Sequence, residues 1–368
     1  MRVLGFMSGT SLDAVDMAIL ETDGETVSAY GPAGERKLTP ATRAVVMRAT
    51  REALNWPRGT PRPAVFEDAA RAVGQEHLDA AREFLARHGL SAGDLDLAGF
   101  HGQTVLHERP TPERIGRTVQ LGDAGLLARG LGVPVAHDFR TADVASGGEG
   151  APLAPIYHAA LAAMAGLATP VAVLNLGGVA NITLIGPDGG MLAFDTGPAN
   201  GMIDLWIQAR TQARYDAGGA LAAAGRVDPA ALDALLVHPY FAAPGPKSLD
   251  RYDFPLTPVE GLSLEDGAAT LTAFTAETVA MAVRSAAAAP SVLIACGGGR
   301  HNPTLMAAIR ARAGVMLKSA EDVGWRGDSI EAEAFAYLAA RAARGLPISF
   351  PGTTGAAAPM TGGVIVQP

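Results

Sequence analysis

Three short apolar runs in this chain each stop at a cluster of glycine and small polar residues, and that pattern constrains the fold most. The run 2–7 enters Ser8-Gly9-Thr10-Ser11-Leu12-Asp13, and 171–176 enters Gly177-Gly178. The run 292–296 enters Gly297-Gly298-Gly299-Arg300-His301-Asn302-Pro303. Buried runs of this length bounded by turn residues read as strands. Glycines at a strand's end let backbone amides approach an anion or a ring closely. After the third cluster, Asn302 is a good N-cap and Pro303 suits the first helical position. The first cluster also reads as an ordinary hairpin with Asp13 as turn acceptor, and Gly177-Gly178 as a type I′ hairpin turn. Three glycines before a helix favour ligand binding.

Several ways of holding a phosphate are absent. The chain has only three lysines, Lys37, Lys247 and Lys318, and none follows glycine in a Gly-Lys-Ser/Thr loop. Neither the protein-kinase lysine strand nor a Gly-x-Gly-x-x-Gly fingerprint occurs, although 44 of 368 residues are glycine. A bound nucleotide would therefore rest on main-chain amides and a metal ion. Twenty-nine basic against 37 acidic residues give a net charge of −8, which disfavours nucleic acid. The single cysteine, Cys296, excludes an intrachain disulfide and a cysteine-rich zinc site. The start lacks a secretory signal pattern. The uncharged stretch 150–187 is broken by proline and glycine, so it reads as a buried helix (153–166) and a strand, not a membrane span. These features point to the cytoplasm, with no membrane partner.

Alternating elements predict an α/β protein. Helices are expected at 39–54, 63–88, 200–212, 262–288, 303–313 and 329–344. Strands are expected at 2–7, 14–21, 95–107, 133–138, 182–185 and 191–195, with a loop over 238–258. The strand–turn–strand unit occurs at 3–20 and again at 171–185, which hints at two related halves.

Other residues carry possible chemistry. Asp195, past a strand end in Asp195-Thr196-Gly197-Pro198, is placed for a general base, or for an Asx turn capping the next helix. Asp328 with Glu331 forms a capping-box pattern. Glu331 also shares a helical face with Phe335 and Leu338, where a carboxylate needs a polar partner. His101 and His107 share a face if 95–107 is one strand, which leaves open an actin-fold metalloenzyme or carbamoyl-transferring relative. A nucleotide-dependent binding module of the heat-shock type is the third reading.

The segments 7–16, 102–105, 150–153, 175–181, 194–198, 246–248 and 297–299 together resemble anhydro-N-acetylmuramic acid kinases over nearly the whole chain. The resemblance implies a two-lobed actin-like ATPase, ribonuclease H-like, with a central cleft. It divides the chain into 1–132 plus 346–368 and 133–345. It implies an ATP- and magnesium-dependent homodimer of cell-wall recycling. Such an enzyme opens the 1,6-anhydro bridge with water and phosphorylates O6, giving N-acetylmuramic acid 6-phosphate. By the same resemblance, Asp195 is the base. Gly9, Thr10, Ser11, Leu12, Asp13, Ala14, Val15, Asp16, Asn175, Gly177, Gly178, Gly297, Gly298 and Gly299 face ATP, with Asp13 on the metal through water. Thr104, Pro152 and Glu331 face the amino sugar. The chain departs from the family pattern at Ala14 and Ala199, each usually glycine, and at Glu149, usually glutamine.

Overall fold

The computed structural model describes residues 1–111, 113–249 and 253–368. Its strands are β1 (Arg2–Met7), β2 (Ala14–Thr22), β3 (Val27–Lys37), β4 (Leu97–Phe100), β5 (Gln103–Glu108), β6 (Arg117–Leu121) and β7 (Val135–His137). They continue as β8 (Val171–Leu176), β9 (Val179–Ile185), β10 (Met191–Pro198), β11 (Val292–Cys296), β12 (Met316–Ser319) and β13 (Val364–Val366). The chain forms two compact units, residues 1–164 with 329–368, and residues 165–328.

The two units repeat one topology. The first sheet runs β13-β7-β4-β1-β2-β3 and the second β10-β9-β8-β11-β12. In each, an antiparallel hairpin is followed by a third antiparallel strand, while two further strands join the first in parallel. This mixed five-strand order, found twice, is the ribonuclease H-like arrangement of actin-like ATPases. The hint from the repeated strand–turn–strand unit is thereby borne out.

Each sheet is faced with helices because its strands are apolar on both sides; β1 and β11 are almost wholly buried. The helix Ile330–Ala343 lies so close to β1 and β4 that a Cβ on Gly5 would sit 2.0 Å from the Ala332 oxygen. One on Gly99 would sit 2.1 Å from the Phe335 oxygen. In the second unit the long helix Leu264–Arg284, capped by Ser263, buries one face against the sheet. Asn302 caps the helix Pro303–Ala313 as expected, its Oδ1 accepting the Leu305 N–H at 3.0 Å.

The structure corrects four readings. The boundary expected at 132/133 falls inside the first unit, because β7 pairs with β4 and the helix Ile330–Ala343 covers the first sheet. The expected strand 95–107 is two strands in different sheets, broken at Gly102, whose φ is +73°. His101 and His107 therefore do not share a strand face. Asp328 does not cap the last helix: Ser329 is the N-cap, without a side-chain bond, and Asp328 binds Arg300 instead. Neither Gly177 nor Gly178 has a positive φ, so their turn is not type I′. Of the loop expected at 238–258, residues 250–252 lie outside the described residues, and the rest is mainly irregular with short 3₁₀ turns. Strands β3, β6 and β12 were not anticipated, nor was the helix Ala124–Leu131.

Candidate functional site

The second unit assembles six of the fourteen expected nucleotide residues, and Asp195, at one end of its sheet. Cys296 pairs with Asn175, Asn175 with Asn181, and Asn181 with Asp195. Directly opposed residues on adjacent strands share a face, so these four side chains form one row across β11, β8, β9 and β10. Asp195 ends the row where β10 bulges between Asp195 and Gly197. A strap from Tyr240 to Leu249 holds it there. The Leu249 N–H donates to Asp195 Oδ2 at 2.7 Å, and the Asp195 N–H to the Lys247 carbonyl at 2.9 Å. The Tyr240 hydroxyl donates to the Asp195 carbonyl at 2.5 Å, and the Lys247 ammonium to the Tyr240 and Ala243 carbonyls.

The glycines beside this row divide into two kinds. Some are demanded by the fold. Gly297 has φ +74°, and a Cβ there would lie 2.2 Å from Asn175 Oδ1; one on Gly299 would lie 2.7 Å from Leu176 Cβ. Others are not. A Cβ on Gly298 would meet nothing within 4 Å and one on Gly178 only the Gly201 Cα at 4.0 Å, whereas one on Gly177 would press the Val179 oxygen at 3.3 Å. Bare backbone the protein does not need for packing is a cradle for a ligand. The turn is anchored from behind: the Gly178 carbonyl accepts from Ala199 and Gly201 N–H at 3.0 Å, and Asn200 donates from Nδ2 to the Leu176 carbonyl. Ala199, a departure from the family pattern, is fully buried in this anchor and holds its bond.

Gly298 and Gly299 open onto a cavity of about 230 Å³ whose other walls include Asn200, Tyr215, Asp216, Gly218 and His301. Sequence reading missed the wall at 215–218. Arg300 lies beneath, its side chain 2% exposed. It donates to the Gly297 carbonyl, to Glu321 and to Asp328 Oδ1, and this last bond holds the Asp328 carboxyl below the ordinary carboxylate range.

In the first unit, the turn after β1 holds Ser8 buried and Thr10, Ser11 and Asp13 exposed. Leu12 takes a left-handed φ of 57°, its N–H reaching the Gly9 carbonyl at 3.2 Å. A Cβ on Gly9 would meet only Ser11 Oγ, at 3.6 Å. Gln103 Nε2 donates to the Gly9 carbonyl and ties the turn to β5, while Ala14, Val15 and Asp16 begin β2. Thr104 lies on β5, its hydroxyl accepting from Gln120.

In the first unit, Glu331 and Arg140 are near enough for each to shift the other's titration. Glu331 keeps accessible surface yet is crowded by protein; burial pushes its carboxyl up, against the pull of Arg140. Arg140 donates from Nε to His101 Nε2 at 3.0 Å and from Nη1 to the Gly150 carbonyl at 2.7 Å. Burial lowers its pKa to about 10, while Glu331 and Asp143 oppose the shift. Burial and then Arg140 hold His101 far below the usual histidine range, so it stays neutral and accepts. Asp143, 1% exposed, accepts from the Gly150 N–H, Ser349 Oγ and Thr354 Oγ1, which fixes the loop before Pro152. Glu149, in that loop, donates its N–H to the Thr354 carbonyl. Nothing in the sequence around Arg140 or Asp143 marked them. Among the described residues no three His, Cys, Asp or Glu side chains gather as a metal site.

Two sheets of ribonuclease H-like order, with bare glycine turns and an acid at the bulge of β10, fit the class of actin-like ATPases and sugar kinases. The chain belongs to the anhydro-N-acetylmuramic acid kinase family, whose sequence profile matches residues 1–368. It is a kinase, a phosphotransferase. It is 69% identical over 366 residues to an anhydro-N-acetylmuramic acid kinase of Caulobacter vibrioides, covering 100% of this chain and 99% of that one. It is 66% identical over 368 residues to the Phenylobacterium zucineum kinase of that name, covering all of both. Among solved structures it is similar to the activator of 2-hydroxyisocaproyl-CoA dehydratase from Clostridium difficile with bound ADPNP, at 12% identity, 94% and 97% coverage and a TM-score of 0.44.

Proposed function

We propose that this protein phosphorylates anhydro-N-acetylmuramic acid with ATP while opening its 1,6-anhydro bridge, yielding N-acetylmuramic acid 6-phosphate for cell-wall recycling. One observation carries this reading: Asp195 stands in a side-chain row with Asn175, beside Gly178 and Gly298, whose bareness packing does not require. The Gly177-Gly178 and Gly297–Gly299 turns present amides to the phosphates and adenosine. The Gly9–Asp16 segment serves the phosphates from the first unit, and the functional division follows the two units. Asp13, exposed on its turn, suits a magnesium ion held through water, and the ion would neutralise phosphate charge.

Asp195 takes the proton of a water attacking the anomeric carbon. The bond from that carbon to O6 breaks, and O6 receives the γ-phosphoryl group as ADP leaves. Glycoside hydrolysis ordinarily needs a second carboxyl to protonate the leaving oxygen. Capture by phosphoryl replaces that acid. Phosphoryl transfer is otherwise positioning and charge neutralisation, which suits a site without a catalytic lysine. On the sugar side, Glu331, Thr104 and Pro152 bind the ring substituents, and Arg140 meets the muramic carboxylate. The enzyme works in the cytoplasm as a homodimer. Among the described residues no helix is long and apolar enough to cross a membrane.

The test is ADP release, with product identified by phosphorus NMR, from protein given ATP, magnesium and the anhydro sugar. Asp195→Asn should lower turnover about a hundred- to ten-thousandfold while ATP still binds. Near-normal turnover in that variant would remove Asp195 from the role.

A further inference from the structure

Lys247 stands beside the proposed base, yet its ammonium is committed to backbone. Nζ donates to the Tyr240 carbonyl at 2.9 Å and to the Ala243 carbonyl at 2.7 Å, which closes the strap on itself. The charge also lies 4.5 Å from the centre of the Tyr240 ring and 5.7 Å from that of Phe194, within cation–π range of both. The other end of the same residue touches Asp195, whose N–H donates to the Lys247 carbonyl at 2.9 Å. Tyr240, held through its carbonyl by the ammonium, donates its hydroxyl to the Asp195 carbonyl at 2.5 Å. Further along, the Leu249 N–H reaches Asp195 Oδ2 at 2.7 Å.

These bonds stand in for a neighbouring strand. β10 is at the edge of the second sheet. In an antiparallel ladder a residue's N–H and C=O point to the same side. Those of Asp195 point off the edge and meet the strap. The strap's own support is uneven. Its start is anchored, the Phe241 ring lying 5.5 Å from that of Phe254 and 5.9 Å from that of Phe274, centre to centre. Beyond that anchor lies a cavity of about 370 Å³, walled by Phe241 and Lys247 of the strap, Phe194 and Thr196 of β10, and Thr278 and Met281 of the helix Leu264–Arg284. Close packing therefore does not press the rest of the strap onto the sheet. The Lys247 ammonium ties it to the anchored start instead.

We propose that Lys247 is a positioning residue: its ammonium clasps the strap and so fixes the direction in which the Asp195 carboxylate faces the attacking water. This rests on Asp195 as the base, proposed above. The role differs from that of a lysine paired with phosphate oxygens, the usual one in phosphoryl transfer. The clasp acts through Asp195 alone, so ATP and the sugar bind without it.

Steady-state kinetics of Lys247→Met, alone and combined with Asp195→Asn, test the clasp. Methionine keeps much of the stem and removes the ammonium. Misplacing a reacting group by about 1 Å costs on the order of a hundredfold, so Lys247→Met should lower kcat roughly 10- to 100-fold, with KM for ATP and for the sugar within about twofold of wild type. Lys247→Arg, which keeps a charged donor, should recover part of the loss. In the Asp195→Asn background the same Lys247→Met change should cost less than about threefold, because residues that act through one group do not add. Tyr240→Phe removes only the hydroxyl that donates to the Asp195 carbonyl. It should repeat the pattern at smaller amplitude, and it carries the test if Lys247→Met does not fold. An unchanged kcat in Lys247→Met, equal losses in the two backgrounds, or a KM for ATP raised about tenfold or more overturns the clasp and leaves Asp195 as the base. Near-normal turnover in Asp195→Asn itself overturns the base and the clasp together.

Discussion

Gly297 and Gly298 are neighbours with opposite reasons for being glycine, and a pair of alanine variants separates those reasons. At Gly298 the fold leaves room: nothing lies within 4 Å of an added Cβ, and φ is not positive. Replacing glycine where the native backbone suits alanine adds about 0.4–1 kcal/mol of stability, through the unfolded chain. If the space is the ligand's, the same methyl crowds a filled site, at about 1–3 kcal/mol. That corresponds to roughly 5- to 150-fold in nucleotide affinity. At Gly297 the outcome inverts. With φ +74° and ψ 169°, Gly297 sits in a backbone region essentially confined to glycine, which costs another residue on the order of 1–3 kcal/mol. The methyl would also press 2.2 Å from Asn175 Oδ1. For units of this size each kcal/mol moves Tm by roughly 2–4 °C. Thermal unfolding with and without ATP and magnesium, with calorimetric Kd values, reads both effects. Gly298→Ala should unfold at or slightly above the wild-type temperature and bind ATP at least about fivefold more weakly. Gly297→Ala should unfold several degrees lower. A Gly298→Ala protein that binds ATP as wild type does would refute the reasoning that unneeded bareness marks the ligand.

Two predictions concern pH. Glu331's raised carboxyl holds its proton longer in the folded protein than in the unfolded chain, so its contribution to stability is lost as pH rises above the ordinary value of 4.5. Glu331→Gln should therefore raise Tm more at pH 7.5 than at pH 4, while weakening sugar binding; an equal gain at both would refute the assignment. His77 runs the other way. Burial lowers its pKa to about 4, and its Nε2 has no partner between Phe6 and Phe100. Below 6.5 the unfolded chain takes the proton first, so stability falls with acid down to about pH 4. His77→Leu should flatten that part of the Tm–pH curve, and an unaltered slope would place the acid sensitivity elsewhere.

What the sequence disclosed was what neighbours along the chain decide. The runs into Gly9, Gly177 and Gly298 and the Asn302 cap are local, and each is where it was expected; Asp195, expected past a strand end, instead lies within β10, which runs on through a bulge to Pro198. Pairings across long separations were not visible. Arg140 reaches His101 and Gly150, and Asp143 reaches Ser349 and Thr354, through contacts no periodicity encodes. The capping reading of Asp328 failed for the same reason: a buried guanidinium 28 residues away competes for the carboxylate better than the helix start does. Gly102 breaks an apolar run that alternation alone reads as one strand. The short strands β6 and β12 are too brief and mixed in character to stand out before their partners are known.

The row shared by Asn175, Asn181 and Asp195 ties the acid to a rung of hydrogen-bonded backbone instead of to a mobile loop. A slip of one residue along β10 would exchange Asp195 with Phe194 or Thr196 and send the carboxylate into the interior, so there is no partial version of this site. Its amides should be among the slower to exchange with deuterated solvent, and changes in the strap should alter how the oxygens point far more than where they are.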